Sequence, residues 1–252
     1  MQNGNTERQP LLPPPQTRHD SQVNEEAIDS VLQRQEIRSR DSPLAAMVIV
    51  PLVVIVVYTW YIVFSSDLDK LGFFAAHPPL QTLAVLCFAM GILTLQPTLS
   101  SASKEAGRTR HQLYQLGLGV PFILFGSLAI IYHKQKMGWA HFTSWHSRVG
   151  LTTLILLVIQ GAAGAASLWG KGAAVGGEER GKSLWKWHRL SGYIVLPMLL
   201  LTIALGGSST TWAKSNIPLP GKIVVYYIAP IVAAIGLWAR VRIHKMPQLG
   251  FN

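Results

Sequence analysis

Charged residues are scarce in this chain. Asp, Glu, Lys and Arg make up only 13% of 252 residues, while 49% are hydrophobic. A water-soluble domain carries about 25% charged residues, so much of this surface is not built to face water. Cysteine is nearly absent. The single Cys87 excludes an intramolecular disulfide, a cysteine-rich zinc site, a cysteine-ligated iron–sulfur cluster and a CxxCH haem attachment. Periodic apolar stripes are missing too, because the apolar residues come in blocks.

Those blocks define six candidate membrane spans, roughly 44–64, 78–97, 112–132, 149–169, 190–206 and 222–239. Each approaches the ~20 residues that a helix needs to cross about 30 Å of hydrocarbon. The expected fold is an all-α membrane protein of six transmembrane helices, joined as hairpins because lipid offers no partner to an unpaired backbone group. The fifth span is the shortest and weakest signal. The long connection after the fourth, "GKGAAVGGEERGKSLWKW", reads as a flexible, solvated loop. The expected domains are a disordered N-terminal tail over 1–42, a membrane domain over 43–245 and a short tail over 246–252. No cleavable signal peptide is expected, since 43 polar residues precede the first apolar block, which would serve as a signal anchor.

Net charge is +10. The cations are spread over loops and tails rather than gathered on one face, which argues against a nucleic-acid partner and for the positive-inside rule. With the N-terminus placed in the cytoplasm, that side carries Arg34, Arg38, Arg40, Lys104, Arg108, Arg110, Lys171, Arg180, Lys182, Lys186, Arg189, Arg240, Arg242 and Lys245. The opposite side carries only Lys70, Lys134, Lys136, Arg148, Lys214 and Lys222. Both termini are therefore expected in the cytoplasm. In the tail, "ERQPLL" places Glu7 four residues before the Leu11–Leu12 pair. It resembles an acidic dileucine sorting signal for endosomal, lysosomal or vacuolar membranes. Chance is the competing explanation, and the plasma membrane stays open.

Histidine carries the chemistry. Four of eight stand at successive span starts: His77, His111, His146 and His188, separated by 34, 35 and 42 residues. Successive spans run in opposite directions. His77 and His146 therefore share one end of the bundle, and His111 and His188 share the other. At 1.5 Å per residue the two pairs stand roughly 15–25 Å apart along the membrane normal. Zinc takes three or four protein ligands, and each end supplies two. Haem needs only two axial ligands, and a bis-imidazole pair closes both axial positions, which favours electron transfer over oxygen chemistry. The plainer alternative for any one of them is a satisfied interfacial histidine. Gly117, Gly119, Gly150 and Gly192 follow the ligand candidates and suit either a flat cofactor or close helix packing. His141 has no partner in this scheme.

With "HPPL", "SWHSRVGL" and "WHRLSGY" around these histidines, residues 44–245 resemble the cytochrome b561 family, in its small members without a fused soluble domain. The resemblance implies a central four-helix bundle, spans 2–5, holding two non-covalent b haems. His111 and His188 would hold the cytoplasmic haem, and His77 and His146 the non-cytoplasmic one. It also implies an oxidoreductase that passes electrons from cytoplasmic ascorbate to monodehydroascorbate or a ferric chelate across the bilayer, and it allows a homodimer. Lys104, Arg108 and Arg110 resemble the family's ascorbate-binding segment, the alternative being ordinary cytoplasmic charge. On the far side His133 matches a family histidine, and beside it Lys134 and Lys136 could attract an anionic acceptor. Snorkelling interfacial lysines are the alternative there. Two other functions compete: membrane transport without redox chemistry, and a scaffold acting through its tail. Transport would need ionisable groups mid-span, and the most polar residues there are Gln81 and Gln160.

Overall fold

The computed structural model describes residues 27–28, 30–31, 41–95 and 98–241. The dileucine motif, Arg34, Arg38, Arg40, Arg242, Lys245 and the C-terminal segment over 246–252 lie outside these residues. Among the described residues there is no strand, and six helical segments are long and apolar enough to cross a membrane. They are α1 (Asp41–Phe64), α2 (Leu68–Leu93), α3 (Ser101–Lys136), α4 (Trp145–Val175), α5 (Glu178–Ser209) and α6 (Leu219–Arg240).

Local chemistry sets where the helices that carry the histidines begin. In α2 a short 3-10 stretch over Gly72–Ala76 gives way to regular helix at His77. Pro78 and Pro79 follow at once, where a missing N–H costs nothing and the fixed φ already suits a helix. In α4 the Ser144 side chain accepts from Ser147 N while the Ser147 side chain accepts from the Ser144 backbone. This reciprocal cap starts the helix at Trp145 and puts His146 in its first turn.

The other two histidines lie deeper than expected. Helix α3 begins at Ser101, capped by Ser100, so that Lys104, Arg108 and Arg110 are helical rather than in a loop. Helix α5 begins at Glu178 and is the longest single α-helix described, at 32 residues. The span that looked weakest in the sequence thus holds the longest uninterrupted α-helix described. The hydropathy signal saw only its apolar half, and three polar turns precede it. The connection before it is tightly packed rather than a loose loop. A methyl group on Gly172 would meet Gly177 O at 2.6 Å, and one on Gly181 would meet Ser167 O at 2.8 Å. At Gly172, φ is 76°, which a side chain would also oppose.

The bundle divides into two hairpins. α3 packs on α2 and α4 packs on α5, while α3 and α4 share almost no contact. α1 and α6 pack on each other, and they join the halves through α2 and α5. The core crosses this division. It draws on Leu52 and Ile55 of α1, Val85 and Phe88 of α2, Leu196 and Leu199 of α5, and Ala233 and Leu237 of α6, with only Ile123 from α3. A buried hydrogen bond of 2.7 Å joins Thr59 of α1 to Tyr226 of α6. At the opposite end Arg240 Nη1 donates to Asp41 O at 2.6 Å, so the start of α1 and the end of α6 share one face of the membrane domain.

Candidate functional site

The four histidines meet in two pairs across the division between hairpins. His77 of α2 faces His146 of α4 with ring centres 6.0 Å apart, and His111 of α3 faces His188 of α5 at 6.3 Å. These are the pairs expected from span direction. The ring planes are nearly perpendicular, at 77° and 85°.

Every imidazole is held the same way. His77 Nδ1 donates to Gly126 O at 2.9 Å and His111 Nδ1 to Gly91 O at 3.0 Å. His146 Nδ1 donates to Thr202 O and His188 Nδ1 to Gln160 O, both at 2.9 Å. A carbonyl only accepts, so Nδ1 carries the proton and Nε2 keeps a free lone pair. The acceptor always lies on the other helix of the same hairpin. Each hairpin is therefore cross-tied twice, once at each end.

Spacing along the helices places the two pairs at different depths. His77 and Gly91 are 14 residues apart, as are His146 and Gln160, and His188 and Thr202. At 1.5 Å per residue this is about 21 Å. On α3 the interval from His111 to Gly126 is 15. The extra residue is absorbed by a π-helical stretch over Leu113–Gly119, where the wider turn takes in one more residue for the same rise.

The donor set can be tested against the group the sequence implies. Among the described residues no three His, Cys, Asp or Glu side chains converge, so each pair offers a metal two protein ligands. With about 2 Å for each metal–nitrogen bond and about 1 Å from nitrogen to ring centre, two imidazoles on one metal stand about 6 Å apart. The observed separations match that figure, and the free Nε2 is the nitrogen such a bond requires. The residues fit bis-imidazole ligation of a metal whose other four ligands come from a macrocycle.

Two glycines shape the pairs. A methyl group on Gly164 of α4 would lie 2.7 Å from His188 Cε1, and one on Gly206 of α5 would lie 3.0 Å from His146. Neither is among the glycines that follow the histidines closely in sequence. Of those, Gly119 receives the Phe88 ring, Gly150 faces Thr202 Cγ2 and Gly192 faces Gln160 Nε2. Those three serve close packing against side chains.

The remaining candidates divide between the two ends. Lys104, Arg108 and Arg110 are exposed on the first turns of α3, at the His111–His188 end. Lys104 and Arg108 precede His111 by seven and three residues and so lie near its face of the helix, whereas Arg110 turns about 100° away. His133 and Lys134 occupy the last turn of α3 at the His77–His146 end. Phe74 stands between His77 and His133, its ring centre 6.3 Å from one and 6.2 Å from the other. Trp139 lies 5.5 Å from His133, and Lys134 Nζ donates to Ala140 O. Exposed His141 rests near Phe142, and no described contact links it to the pair.

Comparison with known proteins places this geometry. Over 117 residues the chain is 30% identical to the protein named transmembrane reductase CYB561D2 of Bos taurus, covering 44% of this chain and 52% of that protein. It is 29% identical over 142 residues to transmembrane ascorbate ferrireductase 2 of Arabidopsis thaliana, covering 56% of this chain and 59% of the relative. The chain thus matches little more than half the length of these relatives. The family described as eukaryotic cytochrome b561, whose members bind haem b, matches residues 76–214, more than half of the chain and all four paired histidines. The chain belongs to the eukaryotic cytochrome b561 family.

Proposed function

We propose that this chain carries electrons across a membrane, from ascorbate at the His111–His188 end to monodehydroascorbate or a ferric chelate at the His77–His146 end. The observation that carries the reading is the pair of imidazole pairs, 6.0 and 6.3 Å apart, with Nδ1 fixed as donor in all four rings. Two b haems, one on each pair, supply one-electron exchange when bound. The names of the bovine and plant relatives, a reductase and an ascorbate ferrireductase, support the same activity.

The chain's own work is positional. His77 with His146, and His111 with His188, would hold the haems, and two protein nitrogens on each iron would leave no position for oxygen or water. The backbone carbonyl on each Nδ1 fixes the tautomer and makes Nε2 a stronger ligand. Ascorbate is an anion at neutral pH. Lys104 and Arg108, exposed above His111 on the same helix, provide the positive approach to that end, with Arg110 contributing charge from an adjacent face. At the other end His133 and Lys134 offer a hydrogen-bonding group and a cation to an anionic acceptor, one aromatic ring away from His77.

The excess of Lys and Arg at the His111–His188 end supports a cytoplasmic location for that end and for both termini. Residues 43–245 act as one membrane domain, and a homodimer in the bilayer is compatible with its lipid-facing surface. The dileucine motif favours an endosomal, lysosomal or vacuolar membrane over the plasma membrane.

The test is reconstitution into vesicles with ascorbate enclosed and ferric chelate outside. External ferrous iron should form only when the protein is present in the membrane. Replacing Lys104 and Arg108 together by alanine should slow haem reduction by ascorbate several-fold at unchanged haem content. A vesicle in which ascorbate never reduces the protein would refute the reading. An unchanged rate in the double variant would return those two residues to the charge rule alone.

A further inference from the structure

One turn from each histidine or at its acceptor carbonyl, a glycine on one helix faces a larger side chain on the other, and the two hairpins build that pairing in opposite ways. In the α2/α3 hairpin the larger residue is a glutamine one turn after the histidine on its own helix. Gln81 follows His77 by four residues, and Gln115 follows His111 by four. The glycine lies across, and it owns the carbonyl that receives the imidazole proton. A methyl group on Gly126 would lie 2.9 Å from Gln81 Nε2, and one on Gly91 would lie 2.7 Å from Gln115 Nε2. Each amide then donates to the carbonyl three residues earlier on the facing helix. His77 uses Gly126 O and Gln81 uses Ile123 O at 3.1 Å. His111 uses Gly91 O and Gln115 uses Phe88 O at 3.0 Å.

In the α4/α5 hairpin the parts are exchanged. Glycine now stands four residues after the histidine, as Gly150 after His146 and Gly192 after His188. The acceptor carbonyls belong to the larger residues, Thr202 and Gln160, whose side chains lie against those glycines. Gln160 does more than fill space. Its main-chain oxygen accepts from His188 Nδ1, its Nε2 donates to His188 O, and its Oε1 accepts from Ser191 Oγ at 2.6 Å.

We propose that Gln81, Gln115 and Gln160 are positioning residues that set the plane of the imidazole beside them: His77, His111 and His188 respectively. The inference rests on the haem reading above. A main-chain carbonyl fixes where the Nδ1 proton points, but the position of that carbonyl depends on the register between two helices. The amide fixes the register: those of Gln81 and Gln115 are bonded one turn away on the facing helix, and that of Gln160 is bonded to the main-chain oxygen of His188 itself. Two of the three glutamines bear on the His111–His188 pair, from opposite hairpins, and one bears on the His77–His146 pair. The angle between axial imidazole planes shapes the ferric low-spin EPR signal, and the Nδ1 hydrogen bond tunes the potential. A side chain that only filled space would move neither.

The experiment uses the full chain, purified with haem, and single replacements Gln81→Met, Gln115→Met and Gln160→Met, which keep length and remove the amide. Each should load haem as the parent does. Gln115→Met and Gln160→Met should shift the EPR signal and midpoint potential of the same haem, leaving the other unmoved. Gln81→Met should shift those of the other haem alone. Loaded variants with unchanged signals and potentials overturn the proposal, as does a result in which positions 115 and 160 move different haems. If a methionine variant does not load, Ser191→Ala decides. It releases one bond to Gln160 and should shift the signal of the haem that His188 holds, and no shift overturns the proposal. A parent protein without haem removes the underlying reading as well, and this shows before any variant is made.

Discussion

Gly164 and Gly206 show how much of the site rests on single residues. Each stands eighteen residues after the histidine of its own helix, five turns on the same face, and each lies against the histidine of the neighbouring helix. A side chain larger than hydrogen at Gly164 drives into the His188 ring, and crowding of this kind costs typically about 1–3 kcal/mol. Gly164→Val should therefore lower the occupancy of the His111–His188 haem well below that of the other, and Gly206→Val should do the converse. Absorption spectra and haem-to-protein ratios measure both, and equal loss of the two haems in each variant would contradict the assignment. The histidine pairs were readable from the sequence because antiparallel spans alternate direction. The glycines were readable in principle from the repeated interval of eighteen. The acceptor carbonyls of Gly91, Gly126, Gln160 and Thr202 were not, because every residue has a carbonyl and residue type does not mark which one is used.

Helix starts were less legible than helix cores. The apolar windows correctly located six spans, but "SASKEAGRTRHQ" and "EERGKSLWKW" are polar helix, so hydropathy passes over them. His111 and His188 consequently sit ten residues into their helices, while His77 and His146 sit in the first turn of regular α-helix. The π stretch in α3 was equally hidden, since it shows in the sequence only as an interval of 15 where its neighbours have 14. The cap of α4 was in plain view as "TSWHS" and is the element on which His146 depends. Ser144→Ala removes one half of the reciprocal cap and should destabilise the domain by about 1 kcal/mol. It should lower the thermal midpoint slightly and weaken retention of the His77–His146 haem before that of the other. A thermal melt followed in the haem band would show this, and loss beginning with the His111–His188 haem would contradict it.

At the scale of the whole molecule, the two hairpins α2/α3 and α4/α5 are each cross-tied by their own histidines, and they meet chiefly through α2 and α5. Each histidine pair takes one member from each hairpin, so a group ligated by a pair would bridge the halves at that depth. Removal of the ligated groups should accordingly loosen the contact between hairpins while each hairpin persists. The central claim is that pairing, and it is tested most directly by counting haem in four single variants, His77→Ala, His111→Ala, His146→Ala and His188→Ala. The account predicts that His77→Ala and His146→Ala lose one and the same haem, identified by its band and potential, while His111→Ala and His188→Ala lose the other. Four variants that all retain two haems, or a loss that couples His77 with His111, would contradict it.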